Sequence, residues 1–163
     1  MDFNYDEIID DFSKKLPKFE DGRIDYRWSQ EAFVINAFVS YNGKILLLKR
    51  SDKVGAYQGK RNSIWGYLDE KVTLEDKIYE ELREELGITK EGVKEIRPGK
   101  IHKLEDPAIN RTRIIYPSIV ELSTEPKIQL DREHTEYKRI YPEEIKDFDV
   151  VLDLDTTYQY TIA

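Results

Sequence analysis

The stretch Gly66-Tyr-Leu-Asp-Glu-Lys-Val-Thr-Leu-Glu-Asp-Lys-Ile-Tyr-Glu-Glu-Leu-Arg-Glu-Glu-Leu-Gly-Ile88 decides how this chain is read. Leu74, Ile78, Leu82 and Leu86 recur at helical spacing, with Tyr79 beside them. Thr73 is a natural N-cap with Asp76 three residues on, and Gly87 suits the position after the last turn. The pattern predicts a helix from about 74 to 86. Glu80, Glu81, Glu84 and Glu85 crowd its C-terminal end, where the helix dipole prefers cations. The pairs 80/84 and 81/85 each repel by roughly 0.2–0.5 kcal/mol. At about 100° per residue, with Glu80 at zero, Glu84 lies near 40°, Glu81 near 100° and Glu85 near 140°. The apolar stripe spans roughly 120° to 260° by the same rule. Glu81 and Glu85 therefore sit at the edge of the buried face, with Glu84 beside them. An unpaired carboxylate there is expensive to desolvate, and a hard divalent cation is the natural neutraliser. The plainer alternative is a solvated charged face partnered by Lys77 and Arg83.

The segment resembles the Nudix box, G-x5-E-x7-R-E-U-x-E-E-x-G-U, where U is a bulky aliphatic residue. Gly66, Glu81, Leu82, Glu84, Glu85, Gly87 and Ile88 match in register. Val72 stands where the pattern has Glu, and Glu80 stands where it has Arg. The two missing groups are opposite in charge, and Asp69 and Glu70 are nearby acids able to compensate for the first. The resemblance covers residues of about 31 to 145. It implies an α/β/α sandwich around a mixed β-sheet, with Glu81, Glu84 and Glu85 as ligands of Mg2+ or Mn2+. A backbone carbonyl around Trp65–Gly66 is a further expected ligand. It also implies water attack on a pyrophosphate phosphorus of a nucleoside diphosphate derivative.

Composition is compatible with this. The 163 residues suit one domain, with 1–30 as a helical and extended lead-in and 31–163 as the Nudix domain. A net charge of −7 disfavours general nucleic-acid binding by bulk electrostatics. The absence of cysteine excludes disulfides, thiolate metal sites and cysteine nucleophiles. That also argues against isoprenoid isomerisation, a related chemistry expected to use a Cys. No run approaches about 18 apolar residues, so no membrane span is expected. The start Met1-Asp-Phe-Asn-Tyr-Asp-Glu lacks a secretory pattern, and a cytoplasmic location is expected. The 1–30 segment is the candidate for swapping or for a homodimer contact.

Along the chain, 5–16 reads as a helix stopped by Pro17. Ala32 to Tyr41 and Lys44 to Arg50 read as strands joined by the hairpin signal Asn42-Gly43. A loop is expected over 51–62 and a short strand over 63–68. Two further strands are expected at 93–104 and 112–123, with Pro117 marking an edge or bulge. His134 to Tyr141 is strand-like, and Pro142 opens a short helix at 143–148. The Tyr-rich 155–162 segment reads as helix or strand.

Between Lys44 and Arg61 the local charge reverses. Lys44, Lys49, Arg50, Lys53, Lys60 and Arg61 face a single acid, Asp52. Such cations opposite the carboxylates would grip a polyphosphate. Arg50 is the preferred contact, then Lys53, Lys60 and Arg61. Tyr57 and Trp65 flank the loop and are candidates for stacking on a nucleobase or for ordinary packing. Glu133 and Glu136 are candidate general bases. His134 is either a third candidate or a structural hydrogen-bonding residue, and His102 has no supporting context. The rival to a hydrolase is a Nudix-like nucleotide-binding or regulatory module that has lost turnover, motivated by Val72 and Glu80.

Overall fold

The computed structural model describes residues 3–162. In chain order its elements are helix α1 (Tyr5–Lys15), strands β1 (Glu31–Tyr41), β2 (Lys44–Arg50), β3 (Arg61–Asn62) and β4 (Ile64–Tyr67), helix α2 (Leu74–Leu86), strands β5 (Val93–Pro98), β6 (His102–Asp106), β7 (Arg111–Leu122) and β8 (His134–Ile140), and helix α3 (Leu154–Ile162). β1 is rich in aromatic and β-branched residues and is buried from Ala32 to Ser40, as a central strand covered on both faces must be. It runs parallel to β7 from Glu31↔Thr112 to Ser40↔Glu121, while every other pairing in the sheet is antiparallel.

Asn42 and Gly43 both take positive φ, 53° and 82°, as a two-residue turn of this kind requires. The hairpin strands then separate. β1 meets β2 only at Ser40↔Ile45 and Tyr41↔Lys44. Further along, β3 pairs with β2 and β4 pairs with β1, filling the gap. At the fork, Asn36 donates through Nδ2 to Asn62 Oδ1 (3.1 Å) and Ser63 Oγ (2.7 Å). This opening creates the floor of a cleft and delivers Gly66 to the start of α2.

Ile9 and Phe12 of α1 and Ile78, Leu82 and Leu86 of α2 pack with Phe33 and Ile35 on one side of the sheet. Phe38, Leu47, Ile140 and Ile145 pack with Leu154 of α3 in a second cluster. The result is an α/β/α sandwich with a mixed sheet.

Four expectations are refined. The single strand expected over 93–104 is two strands broken at Gly99. There Gly99 N–H donates to Pro117 O (2.8 Å) and Lys100 N–H to Tyr160 O (3.0 Å). A Cβ at Gly99 would lie 2.5 Å from Tyr160 O, so only glycine lets α3 dock this closely. Pro117 is on an interior strand, not an edge, at the point where β7 changes partner from β5 (Pro98↔Ser118) to β6 (His102↔Ile115). The 155–162 segment is helical, and the turn after Pro142 is a 3-10 helix, Pro142–Asp147.

Candidate active site

α2 is fixed at both ends by local chemistry. Thr73 Oγ1 accepts from Asp76 N–H (3.1 Å), and Gly87 takes φ 70° while its N–H donates to Arg83 O. Leu74, Ile78, Leu82 and Leu86 are buried, which leaves the carboxylates where the helical wheel puts them. Glu84 is exposed, Glu81 is partly buried, and Glu85 is only 4% exposed. Glu85 Oε2 is buried with no hydrogen-bond partner. Glu81 lies against Gly66, where an added Cβ would stand 2.6 Å from Glu81 Oε1. The glycine therefore makes room for a carboxylate.

Both acids pay for this position in proton affinity. Burial, then the neighbouring Glu84, pushes Glu81 up to about 8. Burial, then Glu81, Asp131 and Glu133, pushes Glu85 well above the carboxylate range, with Arg50 opposing. A cation among these oxygens would reverse both penalties, and hard oxygen donors suit Mg2+ or Mn2+.

Glu85 looks into a cleft of about 570 Å³, within the size range of small-molecule sites. Arg50, Arg113, Lys53, Trp65 and Glu133 also line it. Arg50 is fixed by Nε–H donation to Ala56 O (3.0 Å). Burial lowers its pKa, while Glu133 and Glu85 oppose that shift. Arg113 lies 5.7 Å from the Trp65 ring centre and 3.6 Å from Asp106. Tyr57 adopts φ 55° and donates its hydroxyl to Asp106. The cleft lining therefore combines carboxylates, guanidinium groups and aromatic rings.

Of the residues predicted from sequence, Glu85, Arg50, Lys53, Tyr57, Trp65 and Glu133 line this cleft, and Glu81 and Gly66 meet beside it. Lys60, Arg61 and Glu136 do not line it. Lys60 pairs with Asp149 (3.0 Å), and Arg61 pairs with Glu136. Glu136 sits opposite Lys49 on β8, displaced from the carboxylates by the register of that strand. Arg113, Asn36 and Asn62 are cleft residues that the sequence reading missed. The alternation Arg111-Thr-Arg113 at the head of an apolar strand was the available signal for the first.

No protein-family model matches the sequence, and neither does any curated protein. Solved structures do match. The MutT NUDIX hydrolase of Burkholderia pseudomallei is similar with a TM-score of 0.66 and 19% identity, covering 81% of this chain and 98% of that one. The Ap4A hydrolase of C. elegans, solved as a binary complex, gives 0.64 and 15%, covering 79% and 93%. The NUDIX domain of Shewanella oneidensis NrtR, solved with ADP ribose, gives 0.63 and 14%, covering 83% and 91%. The chain has the Nudix fold.

Within this Nudix fold the two departures from the box have a structural counterpart. Lys77 is 1% exposed, and its Nζ reaches Asp69 (3.0 Å), Glu70 (3.2 Å) and Glu80 (2.8 Å). Burial pulls its pKa down, but hydrogen bonds to Glu80 and Asp69 outweigh that and raise it. Arg23 reaches Glu80 from the lead-in (2.8 Å). The acid at position 80 is thus held by two cations, and it shares Lys77 with Asp69 and Glu70. The lead-in also grips the backbone of the loop. Tyr26 donates its hydroxyl to Leu68 O (2.7 Å), Ile24 N–H donates to Asp69 O (2.7 Å), and Tyr5 donates its hydroxyl to Val72 O (2.5 Å).

Proposed function

We propose that this protein is a metal-dependent hydrolase of a pyrophosphate bond in a nucleoside diphosphate derivative. The observation that carries the reading is the buried, unpartnered Glu85 carboxylate, set near Glu81 and facing the arginines of the cleft. Glu81, Glu84 and Glu85 would hold Mg2+ or Mn2+, with the backbone carbonyl near Trp65–Gly66 as a further donor. When bound, the cation supplies charge stabilisation to the phosphoryl oxygens and eases deprotonation of the attacking water.

The remaining work falls to side chains. Arg50, Arg113 and Lys53 bind and orient the phosphates, and guanidinium groups suit bidentate contact. Trp65 offers its ring to the nucleobase. Glu133, exposed at the mouth of the cleft, accepts the proton of the attacking water. Phosphoryl transfer asks mainly for positioning and electrostatic stabilisation, which is what this arrangement offers. The Ap4A in the name of the C. elegans hydrolase and the ADP ribose in the Shewanella complex support a nucleotide substrate.

The test is phosphate release, coupled to alkaline phosphatase, across a panel of nucleoside diphosphate derivatives, with Mg2+ or Mn2+ and with EDTA. Metal-dependent turnover that EDTA removes is expected. Nucleotide-induced thermal stabilisation without turnover on any member would move the assignment to a nucleotide-binding module.

A further inference from the structure

We infer that His134 supplies an imidazole nitrogen to the cation held at Glu85, so that this site has a mixed nitrogen–oxygen donor set selective for Mn2+, Co2+ or Zn2+ over Mg2+. The inference rests on the proposed carboxylate metal site and specifies its ligands.

His134 opens β8, and its side chain is 2% exposed. Its Nδ1 lies 2.8 Å from Asp131 Oδ1. An ionised carboxylate only accepts, so Nδ1 carries the hydrogen, and Nε2 of the neutral ring is a lone-pair donor to a metal. That nitrogen faces Glu85 Oε1 across 3.9 Å, too far for a hydrogen bond. The other Glu85 oxygen, Oε2, has no partner at all. A buried imidazole nitrogen and a buried carboxyl group thus face one another with no hydrogen bond between them. One ligand atom each from Glu85, Asp131 and His134 lies within 4.8 Å of the others.

A carboxylate that fixes one imidazole nitrogen while the other faces a metal is the usual support of a metal-binding histidine, setting both tautomer and ring orientation. The segment that carries the pair is held in place beforehand. Glu133 N–H donates to Asp131 Oδ1 (3.2 Å), Ser51 N–H donates to Glu133 O (2.7 Å), and Ser51 Oγ donates to Arg132 O (2.8 Å). Imidazole suits the later divalent metals, whereas Mg2+ prefers oxygen and retains its waters. A protonated His134 paired directly with Glu85 is the competing account, and it puts no nitrogen on a metal.

The full-length protein loaded with Mn2+ alone, studied by pulsed electron paramagnetic resonance, separates the two. Nitrogen hyperfine coupling is expected in the wild type and is expected to vanish in His134→Gln. Calorimetric titration should show Mn2+ and Zn2+ affinity falling by about tenfold or more in that variant, the scale of loss for disrupted metal-site groups, with a much smaller change for Mg2+. Asp131→Asn keeps the nitrogen coupling but weakens Mn2+ binding, by about tenfold. If His134→Gln does not fold, the wild-type spectrum alone decides. Mn2+ bound through oxygen only overturns the inference and leaves the carboxylate site standing. Failure to bind Mn2+ at all overturns both.

Discussion

Glu81 and Glu85 are held in the fold against their own charge. Glu81 titrates near 8 in the folded protein against an ordinary 4.5, so between those values the native state keeps a proton that the unfolded chain has lost. Stability of the metal-free protein therefore falls as pH rises from about 4.5 to about 8, and Glu85, raised in the same direction, adds to the decline. Thermal melts in EDTA should show this decline, and Glu81→Gln should make it shallower, with Glu85 carrying the rest, while raising the melting temperature at pH 8. An unchanged slope in the variant would place the charge penalty elsewhere. The residue scale also separates the two candidate bases. Glu133→Gln is expected to cut turnover by about 100-fold or more, the usual range for a general base. Glu136→Gln, whose side chain pairs with Arg61 outside the cleft, should stay close to wild type. The reverse ranking would relocate the base. The sequence could nominate both glutamates but could not rank them, because strand register and not spacing decides which one meets the carboxylates.

At the scale of elements, α2 depends on ion pairs that reach beyond its own sequence. Lys77→Met would leave Asp69, Glu70 and Glu80 with little cationic support, and breaking a buried pair of this kind costs about 3–5 kcal/mol. Urea denaturation should record that loss. Arg23→Ala, with its partly exposed guanidinium, should cost about 1 kcal/mol or less. Equal effects would deny Lys77 its central place. The limits of α2 were legible because Thr73 and Gly87 act through neighbours in sequence. The burial of Lys77 was not, since two of its three partners, Asp69 and Glu70, come from the preceding loop, and Arg23 of the lead-in joins the cluster. The break at Gly99 was hidden for the same reason, being imposed by α3 some 60 residues downstream.

For the whole molecule, the sheet topology gathers groups that are far apart in sequence. Arg50 comes from β2, Glu85 from α2, Arg113 from β7 and Glu133 from the turn before β8. The parallel β1–β7 pairing brings Arg113 opposite Ala32, a long-range register that no local pattern encodes. The box could announce the carboxylates of α2, while Arg113 joins Arg50 in the cleft only through the long-range strand register. An overall charge of −7 would repel a polyphosphate, so these few cations must act at close range. Arg113→Ala is accordingly expected to raise KM for the best substrate by about tenfold, the loss of a charge-assisted hydrogen bond or two, with a smaller effect on kcat. An unaltered KM would remove Arg113 from the binding site. The most direct measurement of the central claim is metal-dependent hydrolysis of that substrate by Glu85→Gln beside the wild type, with Glu95→Gln as a remote carboxylate control. The expected result is a loss of more than about 100-fold in Glu85→Gln, beyond the range for outer-shell groups, with the control unaffected. Full metal-dependent activity in Glu85→Gln would contradict the assignment of this cleft as the catalytic site.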